Sequence, residues 1–133
     1  MTNPSKMNAP VGVDGSTAAD PATFANYLGQ ASWLMTLSPE HKDLPISTID
    51  KRILPAIFLK QFRLFAKGKQ PIAFLTWAKV SDEIKGELEA GRVELDLKGR
   101  RSGPHLVVVD CISPFGPAEK IKAEFLTSMG VGG

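Results

Sequence analysis

The sequence predicts an α+β fold: one domain with a mostly antiparallel central sheet flanked by helices. Three observations carry this. At 133 residues the chain suffices for one hydrophobic core and not for two. Apolar residues recur at helical spacing near both ends and in strand-like runs between them. Two of those runs are separated only by GKQ, a separation that suits antiparallel neighbours.

Residues 1–20 read as a flexible tail and residues 21–133 as the folded domain. The Pro, Gly, Ser, Thr and Ala content of the tail buries too little surface to offset the entropy of ordering it. It has no apolar run of the kind a secretory signal needs. The first helix starts at Asp20-Pro21, a capping residue followed by proline at the first helical position. Phe24, Tyr27, Leu28, Ala31, Leu34 and Met35 then recur at helical spacing. Gly29 weakens that helix by about 1 kcal/mol against alanine. LSPEH ends or restarts it.

A second short helix is expected from Ser47 to Leu54, with Ile46, Ile49 and Ile53 on its apolar side and Pro55 as its stop. AIFLKQFRLFAK and PIAFLTWAKV, rich in aromatic and branched residues, read as a β-hairpin. Ser81 with Asp82 and Glu83 reads as a cap and first turn, Ile84 and Leu88 share a face, and Gly91 closes that helix. RVELDLK alternates strictly, with Val93, Leu95 and Leu97 on one side, as in a half-buried strand. GRRSGP is a turn and HLVVVDCI a more deeply buried strand. The last helix begins near Pro117, turns Ile121, Phe125 and Met129 inward, and ends at Gly130. The expected order is α-α-β-β-α-β-β-α.

Composition narrows the function classes. A net charge of +2 is too small to argue for nucleic acid. One cysteine allows no internal disulfide and no cysteine metal site, which fits a reducing compartment. No run reaches the roughly 18 apolar residues of a membrane span. The glycines of KGRRSG do not follow a strand and open a helix, as a phosphate-binding loop requires.

Few side chains here can do chemistry. In HLVVVDCI, Asp110 alternates with Leu106, Val108 and Ile112, so its expected face is the apolar one. A carboxylate taken out of water must be paired or perturbed. It is either a structural aspartate accepting backbone hydrogen bonds or a site carboxylate. His41, in LSPEHKDLP, also has two readings. Either Ser38 caps a helix begun by Pro39 and His41 faces solvent, or the imidazole is a general base, mostly neutral at pH 7 with a pKa of about 6.5. A histidine base oriented by a buried aspartate is a workable pair. By residue chemistry alone the structural readings are the commoner ones. Cys111, on the other face of its strand, reads as a buried, inert thiol, and His105 as a surface residue. Trp33 and Trp77 read as core, or as lining of an acyl channel.

GQASWLMTLSPEHK (29–42), ILPAIFLKQ (53–61), PIAFLTWAKVS (71–81) and VVVDCISPFG (107–116) together resemble the toxin-activating lysine acyltransferases, the family that fatty-acylates RTX protoxins. The resemblance covers most of residues 24–125. Its SWL…SP.H and D.I.PFG blocks are specific in combination.

The resemblance implies a GNAT-like fold and a cytoplasmic acyltransferase with no bound cofactor and no metal. The implied donor is acyl-ACP, a fatty chain on acyl carrier protein, and the absent glycine loop agrees with a donor other than coenzyme A. The implied acceptors are ε-amino groups of internal lysines in an RTX-type protoxin. The family's essential histidine falls on His41, its important aspartate on Asp110 and a less strictly required serine on Ser38. With these blocks in place, the order of the two readings of His41 reverses. The expected mechanism is direct attack, with His41 taking the lysine proton and Asp110 orienting or charge-balancing the imidazole; a covalent route through Ser38 or His41 stays open. Gln61 matches the family without an assigned role.

Lys98, Arg100 and Arg101 read as a solvated turn or as a docking patch for carrier protein. Two stretches depart from the family. LDLKGRRSGPH is differently composed, and the chain stops at LTSMGVGG where members continue for another strand or helix. A short member, or completion by a second copy in a homodimer, are the alternatives. A GNAT-like enzyme acting on another protein and a truncated, non-catalytic binding homologue are the rival functions.

Overall fold

The computed structural model describes residues 11–14, 20–92 and 94–130. Asp20 accepts hydrogen bonds from the amides of Ala22 and Thr23, each at 3.2 Å, and opens helix α1, Pro21–Leu37. Its buried residues, Tyr27, Ala31, Leu34 and Met35, follow the expected spacing. Ser38 ends it in extended backbone, and its amide bonds the Met35 carbonyl.

The next helical stretch contains a π-helical turn, Ile49–Ile53, that runs directly into α2, Leu54–Phe58. The expected stop at Pro55 is therefore not seen. Pro55 lies in the first turn of α2, where its missing N–H costs little. The wide turn before it is closed by the Leu54 amide on the Ile49 carbonyl. Because the helix continues, AIF of the expected strand is helical. Lys60, at φ 60, turns the chain, and strand β2 begins only at Phe62.

Strands β2, Phe62–Lys67, and β3, Gln70–Val80, form the expected hairpin, with Gly68 at φ 63 in its two-residue turn. Strand β4, His105–Ile112, pairs antiparallel with β3, and β1, Val11–Asp14, pairs antiparallel with β2. Among the described residues the sheet order is β1-β2-β3-β4. Residues 11–14 fall inside the stretch read as a tail; residues 1–10 and 15–19 lie outside the described residues. Helix α3 is Asp82–Glu89, capped by Ser81, and α4 is Ala118–Ser128. The chain is an α+β domain with helices on both faces of an antiparallel sheet.

Two sequence expectations fail in the second half. RVELDLK forms no strand among its described residues: Leu95 is buried, but Leu97 is 44% exposed. Asp96 accounts for this. Its side chain accepts the Gly99 amide at 2.7 Å and its carbonyl accepts the Arg100 amide at 3.1 Å, folding the stretch into a turn. Met129, expected inward, is 37% exposed.

Alternation along β3 divides the core. Phe74, Ala78 and Val80 face α1 and α3, whereas Ala73 and Leu75 face α4 through Phe125. On the α1 side Tyr27 meets Phe62 edge-on at 4.8 Å, and Phe62 stacks on Phe74 at 5.3 Å. Gly103 marks a close crossing at the β3–α3 junction. A Cβ there would lie 2.5 Å from Ser81 Cα and 2.6 Å from the Val80 carbonyl oxygen. Gly103→Ala is expected to cost about 1–3 kcal/mol, as overpacking does. Urea unfolding checks it: the midpoint drops at unchanged slope, and an unmoved midpoint refutes the crossing.

Candidate active site

Strand β4 does not run true against β3. Asp110 lies opposite Thr76 and Val108 opposite Trp77, so Val109 is an extra residue and the ladder bulges. The bulge flips the phase of the strand. Leu106 and Val108 join Cys111 in the cluster under α4, while Val107 and Val109 pack with Ala78 and Val80, and Ile112 with Phe74, on the other face. The expected alternation of Asp110 with Leu106 and Val108 is thus corrected. Asp110 shares the α1 face with Ile112, and its side chain is 3% exposed. Its amide donates to Thr76 Oγ1 at 3.1 Å.

The partner of this carboxylate comes from the π-helical turn. Arg52 grips Asp110 with two donors, Nε to Oδ2 at 3.3 Å and Nη2 to Oδ1. A second guanidinium lies behind it. Arg100, 1% exposed, donates from Nη2 to the Arg52 carbonyl at 3.1 Å and from Nη1 to the Trp77 carbonyl at 3.2 Å. Gln61, also buried, donates to the Arg100 carbonyl at 2.9 Å. Two cations therefore share one buried anion. Burial pushes the Arg100 guanidinium below its ordinary range, Asp110 acts against that, and Arg52 acts with it.

His41 is reached from the end of α1. The Ser38 carbonyl accepts the amides of His41 and Lys42, at 3.0 and 2.8 Å, in a tight turn rather than a new helix. That turn folds the imidazole back, so Nδ1 sits 2.6 Å from Ser38 Oγ, which is buried and lies 3.3 Å from Glu40 Oε1. The hydroxyl has one proton to give. When it goes to the Glu40 carboxylate, Nδ1–H donates to Oγ and Nε2 keeps a free lone pair. Burial holds the imidazole below its ordinary pKa; Asp110 and Glu40 pull it up, and Arg52 pushes it down.

The structure holds two groups, Ser38–His41 and Asp110–Arg52–Arg100, and the charges of Asp110 and Arg52 act in opposite directions on the imidazole. The carboxylate of Asp110 is held by Arg52, while Ser38 holds His41 Nδ1. Arg100 departs from its reading. It is a buried cation, and a side chain 1% exposed cannot contact a carrier protein. Lys98 and Arg101 stay exposed. The Cys111 thiol is pushed up to about 11 by burial, which leaves it unreactive at neutral pH. His105 is half-buried, its Nε2 on Asp82 at the start of α3. Trp77 packs beside Phe125 at 6.3 Å, but Trp33 leaves the core with 44% exposure. The roles of Arg52 and Arg100 around Asp110 are invisible in the sequence, where Arg52 carries no signal and Arg100 reads as part of a solvated turn or docking patch. The one signal was the buried carboxylate, which demands a cation without naming it.

Comparison with known proteins bears on this geometry. The RTX toxin acyltransferase family (HlyC) matches residues 20–129. An uncharacterized protein of Synechocystis sp. is 34% identical over 110 residues, 81% of this chain and 75% of that protein. The RTX-II toxin-activating lysine-acyltransferase of Actinobacillus pleuropneumoniae is 33% identical over 91 residues, 68% of this chain and 57% of its own. A protein-lysine myristoyltransferase of Escherichia coli is 34% identical over 89 residues, 67% of this chain and 51% of its own. The chain spans about half the length of these last two relatives. With its match running from the cap of α1 to the end of α4, and so across both of these groups, this chain belongs to the RTX toxin acyltransferase family.

Proposed function

We propose that the protein transfers a long fatty acyl chain from acyl carrier protein to internal lysines of an RTX-type protoxin, with His41 as general base. The carrying observation is an imidazole whose Nδ1 is occupied by Ser38, a hydroxyl that also reaches Glu40; with its proton on Glu40, Nε2 is the acceptor. A lysine amine, with an unperturbed pKa of about 10.4, cannot attack while it holds its proton. In the proposed step the neutral amine attacks the thioester carbonyl, a C–N bond forms and the C–S bond breaks. The departing N–H proton passes to His41 Nε2 and from there to the leaving thiolate. Asp110 acts through Arg52: it holds the guanidinium whose charge lowers the imidazole, and it answers the positive charge of Arg52 and Arg100. Kinship with relatives described as lysine acyltransferases and myristoyltransferases supports the substrate class.

The acid limb of the pH–rate profile tests the base. His41 works only unprotonated and is held below 6.5, so the limb is expected below that value. Arg52→Gln removes a cation that lowers the imidazole and frees Asp110 to raise it, so the limb moves to higher pH. Glu40 is the remaining charge felt there and is unaltered. Single-turnover transfer from acyl-charged carrier protein reads this out. A limb that Arg52→Gln leaves in place refutes the assignment.

A further inference from the structure

Helix α1 has two apolar faces. One is core. The other, formed by Ala22, Ala25, Gly29, Trp33 and Leu37 at three- and four-residue spacing, is exposed, with Trp33 at 44% and Leu37 at 42%. None of its 17 residues is acidic or basic. A surface helix ordinarily carries charge outward, so an uncharged outer face with a large aromatic marks a binding surface.

The face also carries a shallow hollow. Ala25, Asn26, Gly29, Gln30, Trp33 and Pro71 line a groove of about 400 Å³. Gly29 is open there: a Cβ would meet nothing within 4 Å, so core packing does not demand glycine. The amides of Asn26 and Gln30 bond each other. Trp33 meets Phe115, 53% exposed, with ring centroids 6.2 Å apart. Phe115 follows β4 in the loop just beyond Asp110. At the other end Leu37 directly precedes Ser38. From Gly29 to Ser38 the helix rises about 14 Å at 1.5 Å per residue.

We propose that this outer face seats the donor's acyl chain, its thioester end at Ser38–His41 and its tail along Leu37, Trp33 and Gly29, with Phe115 closing one side. The inference rests on the acyl-transfer reading and adds a subsite to it. The face leads along α1 to Leu37, next to Ser38 in the chain, and it carries no charge, which suits an aliphatic chain and not a charged protein partner. Both rings belong to the two sequence blocks that carry the resemblance.

Gly29→Leu tests the seat, because it fills the groove from an exposed position and leaves the core alone. In one arm, brominated myristic acid is titrated into wild type and variant while tryptophan emission is followed. Trp33 lies on the track, and Trp77, under α4, supplies a constant background. Wild type is expected to quench, and Gly29→Leu to weaken the apparent affinity about tenfold or more, the scale of a misfit in an apolar pocket. In the other arm, the ratio of myristoyl to butyryl transfer from carrier protein falls by a similar factor. Equal quenching, or an unchanged ratio, overturns the proposal. If wild type transfers neither chain, the acyl-transfer reading fails while quenching still decides the seat. Absent quenching, together with self-association lost in Trp33→Ala by sedimentation, assigns the face to a second copy and overturns it as well.

Discussion

Asp110→Ala is expected to lower stability by about 3 kcal/mol, toward the low end of the 3–5 kcal/mol typical of a broken buried pair, because Arg52 keeps 22% of its side chain in water. The cost arises from what is left behind. Arg52 loses both donors' partner, and Arg100, fully buried, loses the anion that offsets its charge. Urea unfolding with a circular-dichroism readout measures it. The double variant Asp110→Ala/Arg52→Met removes the exposed half of the imbalance and is expected to recover part of the loss. Additive losses in the two single variants and the double would show that the grip of Arg52 on Asp110 has no energetic content.

If His41 is the base, His41→Gln is expected to lower the rate of acyl transfer by about 10²–10⁴-fold, the usual worth of general acid–base help. Stability changes little, since the imidazole is half-buried and its one side-chain bond is to Ser38. Glutamine retains a polar side chain but cannot take a proton at neutral pH. Single-turnover kinetics with acyl-charged carrier protein reads the rate, and thermal melting reads the fold. A variant as fast as wild type removes His41 from the chemistry.

Local signals in the sequence located what depends on local physics. Asp20-Pro21 and Ser81 announce helix starts because capping is settled within three residues. The buried spacing of Tyr27, Ala31, Leu34 and Met35 follows from helical period alone. The misses share a different cause. RVELDLK alternates, but alternation states only which face is apolar, and the Asp96 turn decided against a strand. Pro55 is a stop only when the turn before it is α-helical, and here that turn is π-helical. The bulge at Val109 lies in the pairing of two strands, so no pattern within β4 could show that Asp110 and Val108 face opposite ways. Arg52 and Arg100 reach Asp110 from distant stretches of chain, and the burial of Arg100 in a polar turn is a tertiary fact. His41, Ser38 and Asp110 stood out by type and family block; the cation that holds Asp110 did not.

The central claim is that this chain itself carries acyl groups onto protein lysines. Intact-mass and peptide mass spectrometry of an RTX-type protoxin, incubated with this chain and myristoyl-charged carrier protein, tests it most directly. Fatty-acyl adducts on discrete internal lysines are expected with wild type and none with His41→Ala. A protoxin that stays unmodified beside the folded wild-type chain, or is modified equally by His41→Ala, contradicts it.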